Sequence, residues 1–266
     1  MTNPLPTIDL CFTAFDGLIK EEFLPTKFTL LANQKPHPLC ERAAQYLQNY
    51  LESQREWNHN FGLIKEKEGA IIGKMFGVLV VKTIRNQIGY LWAFSGKLAG
   101  SNHHPKFVPP VFDMLTENSF LNKGMVELAR MGEEIKKLES LKTNDCKEQM
   151  IDLKIKRKNY SKNLQKEIFE HYHFLNQGGE SKSLTEIFNH AGYKNPPSGA
   201  GECAAPKLLQ YAFLQKMKPL ALAEFWWGLS PKSEHWKHGE FYPCCHEKCQ
   251  PIFAHTLKEM EINYDL

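Results

Sequence analysis

Gly199-Ala200-Gly201-Glu202-Cys203-Ala204-Ala205-Pro206-Lys207-Leu208-Leu209 sets a cysteine at the junction between a glycine-rich turn and an apolar run. Leu208, Leu209, Tyr211, Ala212 and Leu214 give that run a helical period, predicting a helix from Cys203 to Met217. Pro219 to Trp227, P-L-A-L-A-E-F-W-W, then reads as a buried strand. A polar turn from Ser230 to Glu240 leads to Tyr242-Pro243-Cys244-Cys245-His246-Glu247-Lys248-Cys249. A second helix is expected to begin near Cys245 and to run through Ile252, Phe253, Thr256, Leu257 and Met260. The unit is therefore a helix and a second helix, each opened by cysteine, with a strand between them.

The upstream sequence supplies matching elements. After a short apolar start from Ile8 to Phe15, His37-Pro38 introduces a helix with Leu39, Ala43, Tyr46, Leu47 and Tyr50 on one face. Proline is tolerated there because the N–H it lacks has no partner in a first turn. Met75 to Val81 and Ile88 to Phe94 are strand-like, and Arg85-Asn86-Gln87 between them predicts an antiparallel hairpin. A loop carrying Asn102, His103 and His104 follows and ends in Val108-Pro109-Pro110-Val111-Phe112.

The texture then changes. Leu128, Met131, Ile135 and Leu138 repeat at helical spacing, and Leu153, Tyr160, Leu164 and Ile168 resume it after a polar break at Thr143-Asn144-Asp145. This predicts two long helices folded back as a coiled-coil-like hairpin, ended by Gly178-Gly179. The chain thus divides into the first half of an α+β core at 1–122, an inserted helical hairpin at 123–178, and the second half of the core at 179–266.

Composition narrows the function classes. Of 266 residues, 42% are hydrophobic and 24% charged, as in ordinary globular proteins, and the net charge of +3 is compatible with nucleic acid without demanding it. No apolar run approaches the ~20 residues of a membrane span. Met1-Thr2-Asn3-Pro4 has no basic segment leading into an apolar one, so a cytoplasmic location is expected. Seven cysteines are an odd number, and the first three are scattered, which argues against a disulfide framework. The other four fall between Cys203 and Cys249 and read as zinc ligands or as small core residues.

Cys245 and Cys249 share a helix face at i and i+4, and a helix N-terminus favours thiolates. With Cys203 they form a candidate zinc set, to which Cys244 or His246 would add a fourth, closing ligand. On the predicted hairpin, Lys154, Lys156, Arg157, Lys158, Lys162 and Lys166 make a basic face. It reads as a phosphate-backbone contact or as a solvated face diluted by Glu133, Glu134, Glu139 and Glu167. Asn102, His103 and His104 are candidate nucleotide contacts, and Phe225-Trp226-Trp227 reads as core packing or as a base-stacking platform.

Three strings carry a family resemblance. They are Gly89-Tyr90-Leu91-Trp92-Ala93-Phe94-Ser95-Gly96-Lys97 with Ser101-Asn102-His103-His104-Pro105, then Gly199 to Leu209. The third is Leu222-Ala223-Glu224-Phe225-Trp226-Trp227-Gly228 with Tyr242-Pro243, Cys245 and Cys249-Gln250-Pro251-Ile252. Together, over roughly Phe28 to Glu261, they resemble the N-terminal extension of large RluA-type RNA pseudouridine synthases. In that family a catalytic domain with an Arg-Leu-Asp string follows, and this sequence holds no such string. The resemblance implies an accessory or binding module of RNA modification, with RNA or an RNA-modifying synthase as partner. Synthase activity on rRNA or tRNA is the alternative that the family label carries.

The element order also resembles the zinc deaminase core, which implies a deaminase-like α/β/α layered fold. There, one ligand opens a helix as His/Cys-Ala-Glu, two more follow as Pro-Cys-x-x-Cys, and the glutamate shuttles protons. Here Cys203-Ala204-Ala205 has Ala205 at the glutamate position, and three residues separate Cys245 from Cys249. A zinc-dependent deaminase-like hydrolase would need another acid, such as Glu202 or Glu224.

Overall fold

The computed structural model describes residues 9–31, 35–114, 116, 119–141 and 144–263. The segment Met1 to Pro4 and the start of the polar break at Thr143 lie outside them. Strand β1 (Thr13–Ala14), strand β2 (Phe28–Leu30) and helix α1 (Pro38–Ser53) come first. His37 caps α1, its Nδ1 accepting from Leu39 N at 3.2 Å, and Pro38 is the first helical residue. Strands β3 (Lys74–Lys82) and β4 (Ile88–Phe94) pair antiparallel as expected, with Asn86 in the left-handed region at the turn.

Alternation along β3 sorts the core into two layers. Phe76, Val78 and Val80 face α1, where they meet Leu39, Cys40, Ala43, Ala44 and Leu47. Leu79 and Val81 face the other way, onto helix α5 (Ala204–Leu214) and its Ala204, Leu208, Leu209 and Ala212. The strand after α5, β7 (Lys218–Trp227), lies antiparallel to β3 in the middle of the sheet. Beyond β7 the short strands β8 (Phe241–Tyr242) and β9 (Ile262–Asn263) complete the sheet, and helix α6 (Cys249–Thr256) stands between them in sequence. The strand order is β1-β4-β3-β7-β2-β9, with β8 paired to β7. The result is a mixed α+β fold with helices on both faces of a mixed sheet.

Gly77 brings β3 and α5 together. A Cβ there would stand 2.9 Å from the Ala204 Cβ and 3.0 Å from Leu208 Cδ1. Gly77→Val should therefore push back the start of α5, at a cost of about 1–3 kcal/mol for overpacking. Urea unfolding of the variant measures this.

The helical hairpin consists of α2 (Phe120–Leu141) and α3 (Asn144–His171). Leu128 and Ile135 of α2 and Leu164 of α3 are buried along its seam, while Tyr160, expected there, is exposed. Gly178-Gly179 does not end α3. The helix stops at His171, and the glycines lie in the turn between two short antiparallel strands, β5 (His173–Leu175) and β6 (Ser181–Ser183). Asn176 ties that turn, accepting from Glu180 N and donating to its carboxylate. Helix α4 (Leu184–His190) follows with a capping box between Ser183 and Glu186. A third apolar cluster, containing Tyr172, Phe174, Phe188 and Ile252, joins this region to α6.

Two helix boundaries also differ from expectation. The helix after Cys203 ends at Leu214 because Lys216 turns left-handed, which lets Met217 N reach Ala212 O at 2.8 Å. The last helix begins at Cys249, one turn later than expected, so Cys245 sits in the turn before it. Among the described residues, no helix is long and apolar enough to cross a membrane.

Candidate metal centre

Cys203 is the N-cap of α5, and Cys249 is the first residue of α6. The two helices pack on the same face of the sheet, so their N-terminal cysteines converge with Cys245. The three Sγ atoms lie within 4.8 Å of one another, and Cys245 and Cys249 are 3.4 Å apart. Tetrahedral zinc with Zn–S bonds of about 2.3 Å needs sulfur separations of roughly 3.8 Å, so small side-chain adjustments would seat an ion. Cys249 is buried, Cys203 is half-buried and Cys245 is exposed.

The approach to Cys203 depends on a tight turn. Gly201 adopts φ +87°, and a Cβ there would meet the Tyr172 ring at 2.8 Å. The turn is thus restricted to glycine both by its backbone and by the aromatic wall. One turn further along α5, buried Lys207 donates to Phe94 O at 2.9 Å and Gly96 O at 3.2 Å. It thereby clamps the loop after β4 against the ligand segment. Burial pushes this ammonium down to about 8, with Glu202 opposing the shift. Sequence patterns did not single out Lys207. The available signal was one charged residue in an otherwise apolar helical run.

The thiols are electrostatically unequal. Hydrogen bonds from Cys203 and then Cys249 hold the Cys245 thiol well below the usual thiol range, aided by the backbone N–H groups of Lys248 and Cys249. The same contacts push Cys203 and Cys249 upward, Cys203 by its bond to Cys245 and Cys249 by its bonds to Cys203 and Cys245. A low-lying thiol in the turn that leads into α6, with two further thiols beside it, suits a soft divalent ion such as zinc. The three-cysteine cluster is geometrically compatible with a metal site, in agreement with the zinc expectation.

The two other proposed ligands lie outside this set. His246 points its Nδ1 at Gln250 Oε1, 3.1 Å away. The Cys244 thiol is buried against the Glu224 carboxylate, and that burial pushes it well up. Among the described residues, the cluster therefore consists of Cys203, Cys245 and Cys249, which leaves a fourth coordination position without a protein ligand.

Glu224 occupies the space beside Ala205. It projects from β7, is 4% exposed, and its Oε1 accepts from Ala205 N at 3.0 Å. Burial raises the carboxyl to about 7, while the Cys244 thiol and the Ala205 N–H pull the other way. Glu224 thus bridges the two segments that carry the cysteines. Glu202 instead takes a hydrogen bond from Tyr172 Oη at 3.2 Å.

No protein-family model, no curated protein and no solved structure matches the chain.

The other sequence candidates are spread over the molecule. Buried Asn102 donates to Asp113 Oδ1 at 3.3 Å, and His103 Nε2 lies 3.0 Å from Asp113 Oδ2. His104 Nε2 donates to Leu98 O at 2.7 Å. All three side chains therefore pin their own loop. Phe225 and Trp227 are in the core, whereas Trp226 is half-buried and stacks on Trp236 at 5.3 Å. On the hairpin, Lys154 pairs with Glu139 at 2.8 Å, and Arg157 Nε donates to Leu128 O at 3.2 Å. Lys158 is exposed.

Proposed function

We propose that the chain is a zinc-binding accessory module of RNA modification, related to the N-terminal extension of RluA-type pseudouridine synthases and without catalysis of its own. Its core is read as deaminase-like. The order helix, two strands, helix, strand, helix supports this, with Cys203 capping one helix and Cys249 opening the next. The observation that carries the non-catalytic reading is Ala205. In the deaminase motif this position bears the proton-shuttling glutamate, a function worth about 10²–10⁴ in rate, and a methyl group cannot perform it.

In this reading zinc, held by the three cysteines, fixes the α5 and α6 N-termini. The module then presents its surface to RNA or to a separate synthase in the cytoplasm. RNA or ribosomal particles should co-purify with the tagged chain, and uridine in rRNA and tRNA transcripts should remain unisomerised by the chain alone. Clean absence of RNA and of any synthase from such purifications overturns the reading.

One observation favours a second reading, a zinc-dependent hydrolase of the deaminase kind. The Glu224 carboxylate reaches the Ala205 N–H from the neighbouring strand, so an acid stands beside the motif position after all. A bound zinc would activate a water in its open position, and Glu224 would hold the proton that this water gives up. Turnover of cytidine or adenosine by zinc-loaded protein, lost in Glu224→Gln, is the required result. No turnover with full zinc occupancy retires this reading.

A further inference from the structure

The surface between α2 and α3 holds a groove of about 550 Å³ whose charged lining is Lys136, Lys154, Arg157, Lys158 and Lys162, with Glu139 as its acid. Five of these side chains are cationic and one is acidic, a local excess of four positive charges in a chain whose net charge is +3. We propose that this groove is a binding site for the phosphodiester backbone of a nucleic acid strand. The proposal rests on the RNA-module reading and assigns its contact surface.

Three features of the hairpin argue for it. Lys154, Lys158 and Lys162 repeat every fourth residue along α3, and each step advances about 6 Å along the axis. That advance is comparable to the separation of successive phosphates on a strand, so one row of ammonium groups can follow consecutive phosphates.

The second feature is how the charges are partnered. The neighbouring acids of α2 are partly neutralised, since Arg130 binds Glu127 at 2.7 Å and Glu134 at 3.1 Å. Within the groove only Lys154 has a carboxylate, that of Glu139. Among the described residues, no carboxylate lies within ion-pair distance of Lys136, Lys158 or Lys162.

The third is the shape. Gly132 has no side chain to fill the space, and Arg157 lies across it, 3.8 Å from where a Cβ would stand, with its Nε bonded to Leu128 O. The guanidinium is thus fixed at the edge of a concave surface floored by buried Ile135. A solvated lysine face has no need of an anchored arginine or of a concavity opposite it. Anchoring of this kind lowers the side-chain entropy lost when a phosphate binds.

Binding of fluorescein-labelled oligouridylate and of oligodeoxyuridylate to the zinc-loaded chain, followed by anisotropy across a salt series, tests the proposal. Lys136→Gln/Lys158→Gln/Lys162→Gln should flatten the slope of log K against log salt by about 2, roughly 0.7 for each single-strand phosphate that is no longer neutralised. Glu139→Gln removes the groove's one acid and frees Lys154, so it should tighten binding and steepen the slope. This second variant keeps the test alive if the triple variant folds poorly.

Similar affinity for the two oligonucleotides supports recognition of the shared backbone, and a preference for the ribose form adds recognition of the 2′-hydroxyl. Wild-type binding that neither variant alters overturns the groove and leaves the RNA-module reading standing. No binding of either oligonucleotide by the wild-type chain overturns the groove and leaves the module reading to rest on a synthase partner alone. Binding only to phosphatidylserine vesicles, abolished in the triple variant, overturns the proposal in favour of a membrane surface.

Discussion

Protein purified from zinc-replete cells should carry about one zinc per chain, and Cys249→Ser should carry almost none. Cys249 is the most buried of the three thiols and opens α6, so its loss removes the innermost ligand. Serine keeps the size but loses the soft, easily ionised sulfur that zinc prefers. Chelating the wild-type metal should lower the unfolding midpoint as well. With free zinc at about 100 times its dissociation constant, ligation contributes about 2.7 kcal/mol. For a chain of this size that corresponds to roughly 5–10 °C. Cys249→Ser should start near the lower midpoint and ignore the chelator. Elemental analysis with thermal scans reads both effects. Metal-free wild-type protein with an unmoved midpoint would make the cysteines ordinary core residues.

In the metal-free protein, Glu224→Gln should gain about 2.5 kcal/mol of stability relative to wild type between about pH 5 and about pH 8. Burial raises the Glu224 carboxyl from 4.5 to about 7. The folded state therefore holds a proton that the unfolded state releases above 4.5. The associated stability is fully present below 4.5 and is lost as pH rises through 7. Cys245 has the opposite sign. Its thiol is held well below the ordinary thiol value of 9, so its contribution is present above 9 and declines as pH falls. Between about 4.5 and 7 the two contributions run in opposite directions in the raw wild-type curve. Only the difference between wild type and Glu224→Gln isolates the carboxyl. Glutamine retains an oxygen to accept from Ala205 N, so the geometry of the tie survives. Bound zinc, as a nearby positive charge, should shrink the difference. Urea unfolding of both proteins at the two pH values decides it, and a pH-independent difference would sink the argument.

How much was legible in advance depended on the range of the interactions involved. Strands β3 and β4 and their turn follow from local patterns of β-branched and polar residues, and their pairing is between neighbours in sequence. Helix α5 and strand β7 were readable for the same reason, each within a few residues of its observed ends. The β5–β6 strands and α4 were missed because elements of three to seven residues carry too little periodicity. The glycines that looked like a helix stop belong to the turn of that small hairpin.

The sequence by itself determined that the elements alternate and that cysteines stand at the starts of α5 and α6. It also determined that a basic helix row lies in the insertion, because these are properties of spacing along one chain. Tertiary structure alone decided that β2 enters the sheet between β7 and β9, joining Thr29 to Ala221 and Phe28 to Ile262 across spans that no local pattern encodes. It also decided the closing ligand. Spacing pairs Cys245 with Cys249 and offers Cys244 or His246 as a fourth. Only the packing of α6 against α5 turns Cys245 and Cys249 toward Cys203, sends Cys244 to Glu224 and leaves His246 on Gln250. The physical reason is one of direction. Spacing tells which residues share a face, and the neighbouring element tells what that face meets.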